Sequence, residues 1–123
     1  MSENLFQDVK SFHLKFWPET VPSRPTPPDP DLLFASTAHL TEELEELLSA
    51  AREDDPARLL DAIVDLVYVA LGLAVRCGFD FNAAWDLIHA ANMQKVRGEG
   101  PRGKVDVVKP DGWERPDLSA LVW

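Results

Sequence analysis

The sequence contains one cysteine, Cys77, which excludes an internal disulfide framework and a cysteine-based zinc site. Cys77 falls in an apolar stretch that reads as helix, where a thiol serves as a small buried filler. His13, His39 and His89 lack zinc-site spacing, so a zinc site is not expected. Long hydrophobic runs are scarce as well. The longest, Leu66 to Val75, is about half of what a bilayer needs, and Asp65 borders it. Residues Met1 to Lys10 lack the basic start and apolar run of a signal peptide, so neither export nor membrane insertion is expected, and the cytoplasm is the expected compartment. Positive charge is also in short supply. Twelve Lys and Arg against 21 Asp and Glu give a net charge of −9, which opposes binding to a nucleic-acid polymer or an anionic membrane.

What is present is enough for one modest core: 123 residues, 46% of them hydrophobic, taken here as a single domain. Leu5, Val9, Phe12 and Phe16 recur at helical spacing, so a first helix capped by Ser2 is expected to end near Trp17. Six of the ten prolines lie between Pro18 and Pro30, too many for helix or ladder, which predicts an extended connection ordered by packing. A long second helix follows a cap at Asp29 or Asp31, with Leu33, Leu40, Leu44, Leu47, Leu48 and Ala51 on its apolar face. Asp55 caps a third helix with Pro56 at its first position, running from about Ala57 to Cys77. Gly78 is the expected left-handed terminator. A fourth helix capped by Asp80 or Asn82 carries Ala84, Leu87, Ile88, Ala91 and Val96. After Arg97 glycine and proline break the pattern into an irregular tail, in which Val105 to Val108 alone suits a short extended piece. The whole reads as an all-α, four-helix-bundle-like fold. The third helix is apolar on nearly all sides, and a partner subunit is its expected cover.

The chemistry starts with Asp61 and Asp65, one turn apart on the same face of that apolar helix. Like charges so placed repel, and a buried carboxylate costs several kcal/mol unless it is paired. No Lys or Arg lies between Arg58 and Arg76 to pair them locally. On the second helix, Glu42, Glu43 and Glu46 gather within one turn. If the two helices form an antiparallel hairpin through Asp54-Asp55-Pro56, the acidic clusters face each other near mid-helix. A cage of hard oxygens suits Mg²⁺ or Mn²⁺, and magnesium in turn implies phosphates. Six of the twelve cations, Lys95, Arg97, Arg102, Lys104, Lys109 and Arg115, follow the fourth helix in a glycine-containing tail that suits a basic lid over a triphosphate. Against this stands the plainer reading of a Glu-rich turn as a solvated helix face.

Together these residues resemble the MazG-like, all-α nucleoside triphosphate pyrophosphohydrolases, especially phage-type members with a phosphoribosyl-ATP pyrophosphohydrolase-like domain. The resemblance is carried by Phe12-His13-x-x-Phe16, the proline segment, Glu42-Glu43-x-x-Glu46, and Asp61 through Val69. Further on, Asn92-Met93-x-Lys95 and Lys109-Pro110-x-Gly112-Trp113-x-x-Pro116-Asp117-Leu118 extend it. The family pattern has a Glu three residues before the later Asp, where this chain has Ala62, so Asp61 stands in from one position earlier. The resemblance implies Glu43, Glu46, Asp61 and Asp65 as ligands of two or three Mg²⁺ per site. Glu42 would orient or deprotonate the water that attacks the α-phosphorus. Asn92 and Lys95 would hold phosphate or sugar. Lys109 and Trp113, with His13 and Phe16, complete the expected substrate contacts, although an aromatic stripe at helical spacing is more often core. Guanine nucleotides, dGTP or GTP, are the favoured substrate, and a homodimer or homotetramer the expected assembly. The rivals are a non-catalytic acidic helical interaction module and a related phosphohydrolase acting on another nucleotide.

Overall fold

The computed structural model describes residues 4–123, which form two compact units: one runs to Phe79 and is joined by Trp123, and the other runs from Asp80 to Val122.

The first unit holds three helices, α1 (Leu5–Phe16), α2 (Pro30–Ala51) and α3 (Pro56–Arg76). Each start is set by a side chain that accepts an otherwise orphaned backbone N–H. Asn4 accepts from Gln7 at 3.1 Å, Asp29 from Asp31 at 2.9 Å, and Asp55 from Arg58 at 3.1 Å. The cap of α1 is therefore Asn4, and Ser2, expected in that role, lies outside the described residues. Pro30 and Pro56 occupy first-turn positions, where a missing N–H costs nothing. At the far end of α3, Gly78 takes φ +67, as the left-handed terminator should. A side chain there would also run into the Arg24 carbonyl.

α2 and α3 pack along each other through the short turn between them, and α1 packs on α3. The inward face of α2 differs from the expected one. Leu33, Leu44 and Leu48 are exposed, whereas Leu32, Ser36, Leu40, Glu43 and Leu47 are half-buried and Ala50 is fully buried. These six lie at i, i+4, i+8, i+11, i+15 and i+18, one stripe of a 3.6-residue helix, and it includes a carboxylate. The sequence holds two apolar stripes on this helix, and packing selects the one that alternates with polar groups. On α3 the buried positions are Ala62, Leu71, Gly72 and Val75, while Leu60, Ile63, Val64 and Val67 remain exposed. That outer apolar face is the one the sequence marks as needing cover.

The proline segment forms a strap with a single 3₁₀ turn at Pro18–Thr20. The Thr26 N–H donates to the Cys77 carbonyl at 2.9 Å, tying the strap to the end of α3. Cys77 is buried as expected, and burial pushes its thiol up from the ordinary value.

The second unit comprises α4 (Phe81–Met93), capped by Asp80, and two antiparallel strands, β1 (Val96–Gly100) and β2 (Gly103–Val108). Two expectations are corrected here. Helix α4 stops at Met93, short of Val96, and the tail expected to be irregular forms a hairpin, whose second strand includes Val105 to Val108, the piece expected to be extended. The hairpin turn is held by Asp106, which is buried and accepts the backbone N–H groups of Arg102 at 3.1 Å and Val107 at 2.8 Å. The Arg102 guanidinium adds an ion pair at 2.9 Å. The Val107 N–H, followed by these Arg102 contacts, holds the Asp106 carboxyl below its usual range. The fold is thus mostly helical, with four helices and one small hairpin. Among the described residues no single helix is long and apolar enough to cross a membrane.

Candidate active site

Glu43, Glu46 and Asp65 come together on the facing sides of α2 and α3, each offering one carboxylate oxygen within 4.8 Å of the others. The position follows from the hairpin. Glu43 and Glu46 precede the end of α2 by eight and five residues, and Asp65 follows the start of α3 by nine, so an antiparallel pair brings them level.

Glu43 is the most constrained member. Its side chain is 14% exposed, and His39, one turn earlier, places Nε2 3.2 Å from Oε1, an ion pair when the imidazole is protonated. The other oxygen, Oε2, is buried with no hydrogen-bond partner among the described residues. A carboxylate oxygen left so, beside two further carboxylates, costs on the order of 1–3 kcal/mol or more, and a divalent cation removes that cost. Hard oxygen donors without thiolate or imidazole ligands fit Mg²⁺ or Mn²⁺ and disfavour zinc. The residues present therefore fit the ion that the sequence implies.

Asp61 and Glu42 stand apart from this trio. Both are exposed, Asp61 one turn before Asp65 and Glu42 beside Glu43, and neither belongs to the clustered group. Arg58, a possible partner for Asp61, pairs with Glu53 instead.

A cavity of about 290 Å³ opens between α1, α2 and α3. Phe12, His13 and Trp17 form one wall, Ser36 and His39 a second, and Tyr68, Gly72 and Arg76 a third. His39 thus belongs to the cavity and, through Glu43, to the carboxylate trio. His13 is 7% exposed, and its Nδ1 is buried without a partner among the described residues. Desolvation, with the nearby positive charge of Arg76, lowers its pKa and keeps the imidazole neutral. Gly72 makes room for that ring, since a Cβ there would lie 2.9 Å from Nε2. Of the aromatic pair singled out in the sequence, His13 lines the cavity. Phe16 is 51% exposed and packs against the Phe12 ring at 4.8 Å, outside the lining.

Within the second unit, Asn92 is exposed in the last turn of α4, and Lys95 follows it by three residues. Trp113 is pinned by its indole N–H, which donates to the Ala91 carbonyl at 2.7 Å. The ammonium groups of Lys95 and Lys109 each sit 5.1 Å from its ring centre. Attraction to the indole face gathers two cations in one place, so Asn92, Lys95, Lys109 and Trp113 form one local group. Of the six cations after α4, Arg102 is committed to Asp106.

His39, Tyr68 and Arg76 do not stand out in the sequence as site residues. His39 was findable as the residue one turn before Glu43. Arg76 reads as an ordinary cation at a helix C-terminus, favoured there by the helix dipole.

The acidic trio thus lies on two antiparallel helices of a mostly helical chain, an arrangement that could hold a metal ion. The profile of the phosphoribosyl-ATP pyrophosphohydrolase family matches residues 9–92, more than half of the chain, and the chain belongs to that family. Membership indicates a nucleotide pyrophosphohydrolase. No curated protein matches the chain.

Proposed function

We propose that the chain is a Mg²⁺-dependent nucleoside triphosphate pyrophosphohydrolase, converting a (d)NTP to the (d)NMP and pyrophosphate. The observation that carries the reading is the trio Glu43, Glu46 and Asp65, with the buried Oε2 of Glu43 lacking any partner among the described residues. Two or three magnesium ions, or manganese, bound there would supply charge neutralisation for the triphosphate and for the departing pyrophosphate. Glu43, Glu46 and Asp65 hold the ions, and Asp61 contributes from the next turn, directly or through water.

Glu42 is exposed beside Glu43, where it can take the proton of the attacking water. The new bond forms between that water oxygen and the α-phosphorus. The bond from the α-phosphorus to the bridging oxygen breaks, and the electron pair leaves with pyrophosphate. Asn92, Lys95 and Lys109 bind phosphate oxygens or sugar, with Trp113 fixing the two lysines. His13, with Phe16 behind the Phe12 ring, takes part on the base side. Guanine nucleotides are the preferred substrates. The exposed Leu60, Ile63, Val64 and Val67 on α3 suit a second copy of the chain, as homodimer or homotetramer. The reading places the enzyme in the cytoplasm, where its substrates are.

The test is incubation of the pure protein with the eight common NTPs and dNTPs plus Mg²⁺, following monophosphate and pyrophosphate by chromatography, with Asp65→Ala in parallel. Turnover to both products that vanishes in the variant is expected. Absence of turnover, or equal turnover by the variant, refutes the site and leaves an acidic interaction module. Release of orthophosphate points to a different phosphohydrolase.

A further inference from the structure

We infer that Arg76 selects the base, reading two adjacent acceptors on one edge of a purine, the N7 and O6 of guanine. The inference rests on the pyrophosphohydrolase reading for the position of the triphosphate, and assigns the opposite end of the substrate.

The first support is register. Asp65, Val69, Gly72 and Arg76 lie at i, i+4, i+7 and i+11 on α3. At 100° per residue the eleven steps complete three turns with about 20° to spare, so Asp65 and Arg76 share one face. Val69, Gly72 and Arg76 all line the cavity, and Asp65 belongs to the carboxylate trio. On α2, Ser36 and His39 line the same cavity, and Glu43 follows on the same stripe. Cavity and trio therefore follow one another along the same stripes of α2 and α3. The axial separation of Asp65 and Arg76 is about 16 Å from the helical rise. That separation leaves room for a sugar and a base between the trio and the Arg76 guanidinium, which lies over the Trp17 ring in the cavity.

The second support is the state of the guanidinium. It sits 5.2 Å from the centre of the Trp17 ring, whose face attracts the cation and holds it in the cavity. Among the described residues no carbonyl or carboxylate accepts from it, and its planar fork of donors stays available. Trp17 thus holds the guanidinium over its ring without accepting a hydrogen bond from it.

The third support is what the cavity omits. Its lining contains no Asp or Glu, so a base that offers an amine to this edge finds no carboxylate to receive it. Guanine presents N7 and O6, both acceptors, whereas adenine presents an acceptor beside an amine and thymine a single oxygen beside a methyl. An arginine fork matches the guanine edge alone, at a discrimination of about ten- to a hundredfold.

The experiment compares kcat/KM of the full chain with Mg²⁺ on dGTP, dITP, 7-deaza-dGTP, dATP and dCTP, for wild type, Arg76→Met and Arg76→Lys. It adds calorimetric titration of dGMP, which needs no turnover. Wild type is expected to accept dITP like dGTP, because both carry N7 and O6, and to lose about tenfold or more on 7-deaza-dGTP. Both variants are expected to lower the dGTP to dATP ratio by about ten- to a hundredfold, chiefly through KM, and to weaken dGMP binding. Equal use of dGTP and 7-deaza-dGTP overturns the inference, as does a wild-type preference for dCTP or a loss spread evenly over all bases in both variants. Wild-type hydrolysis abolished by Asp65→Ala but untouched in base preference by Arg76→Met refutes Arg76 and keeps the reaction. Arg76-dependent dGMP binding without hydrolysis of any triphosphate refutes the reaction and keeps Arg76.

Discussion

Asp65→Asn removes one of three negative charges whose oxygens lie within 4.8 Å of each other, with little change of shape. Without metal this should stabilise the fold. At that separation a pair of unit charges repels by about 0.9 kcal/mol in water and about 3.5 kcal/mol at an effective dielectric of about 20. Glu46 is exposed, so its pair with Asp65 takes the lower figure. Glu43 and Asp65 are both half-buried, so theirs lies between the two. Allowing for salt and side-chain freedom, the relief is about 2 kcal/mol, or about 8 °C in Tm for a chain of this size. Magnesium should act in the opposite sense. At ten times its Kd it adds about 1.4 kcal/mol to the wild type by mass action, and Asp65→Asn should keep less than half of that gain. Thermal denaturation at pH 8 with EDTA, and again with Mg²⁺, reads both effects. A variant that melts at or below the wild type in EDTA, with an equal magnesium gain in both proteins, would refute the idea that these carboxylates share a cation.

Two further predictions concern the first unit. Gly72→Ala gains about 1 kcal/mol of helix propensity but drives a methyl into the buried His13 ring, a clash worth about 2 kcal/mol, so a net loss of about 1 kcal/mol is expected. In a His13→Ala background the same change should stabilise by about 1 kcal/mol; equal effects in the two backgrounds, measured by urea denaturation, would sink the account. Because burial and then Arg76 lower the His13 pKa, the folded state takes up its proton at lower pH than the unfolded chain does. The stability His13 contributes is therefore whole above the ordinary histidine value of about 6.5 and is lost as pH falls from there towards the folded value. Wild type should lose more stability than His13→Gln between pH 7.5 and 5.5, and parallel pH profiles would contradict this.

The helix boundaries were legible because they are written in local chemistry. Asp55 followed by Pro56, Gly78 followed by Asp80, and Asp29 before Pro30 each satisfy or end a helix with their own atoms. The pairing of Glu43 with Glu46 was legible for a related reason, since i+3 spacing places side chains before any packing is known, and the expected helical hairpin brings Asp65 level with them. The hairpin was not. Its strands carry Gly98, Gly100 and Gly103, which read as loop, and the residue that holds its turn, Asp106, works through hydrogen bonds to Arg102 and Val107 that no hydrophobic pattern records. Nor did sequence tell which apolar stripe of α2 turns inward. Leu44 and Leu48 are as hydrophobic as Leu40 and Leu47, and the choice is made by α3. That choice carries Glu43 inside and leaves Glu42 in water. The cavity gathers residues from three helices, and Arg76 gains its distinction only once Trp17 lies beneath it.

The proline strap draws part of its stability from somewhere other than its contacts. Among the described residues one backbone hydrogen bond, from Thr26 to Cys77, ties it to α3, which is slender support for thirteen residues of which 21–29 are irregular. Six of those thirteen are prolines, and each restricts the unfolded chain as much as the folded one. At about 0.4–1 kcal/mol for each residue so restricted, the segment has relinquished a few kcal/mol of disorder before it ever meets the helices. Part of the order of the strap is thus a property of the denatured ensemble, and less of it needs to be supplied by its contacts with the end of α3.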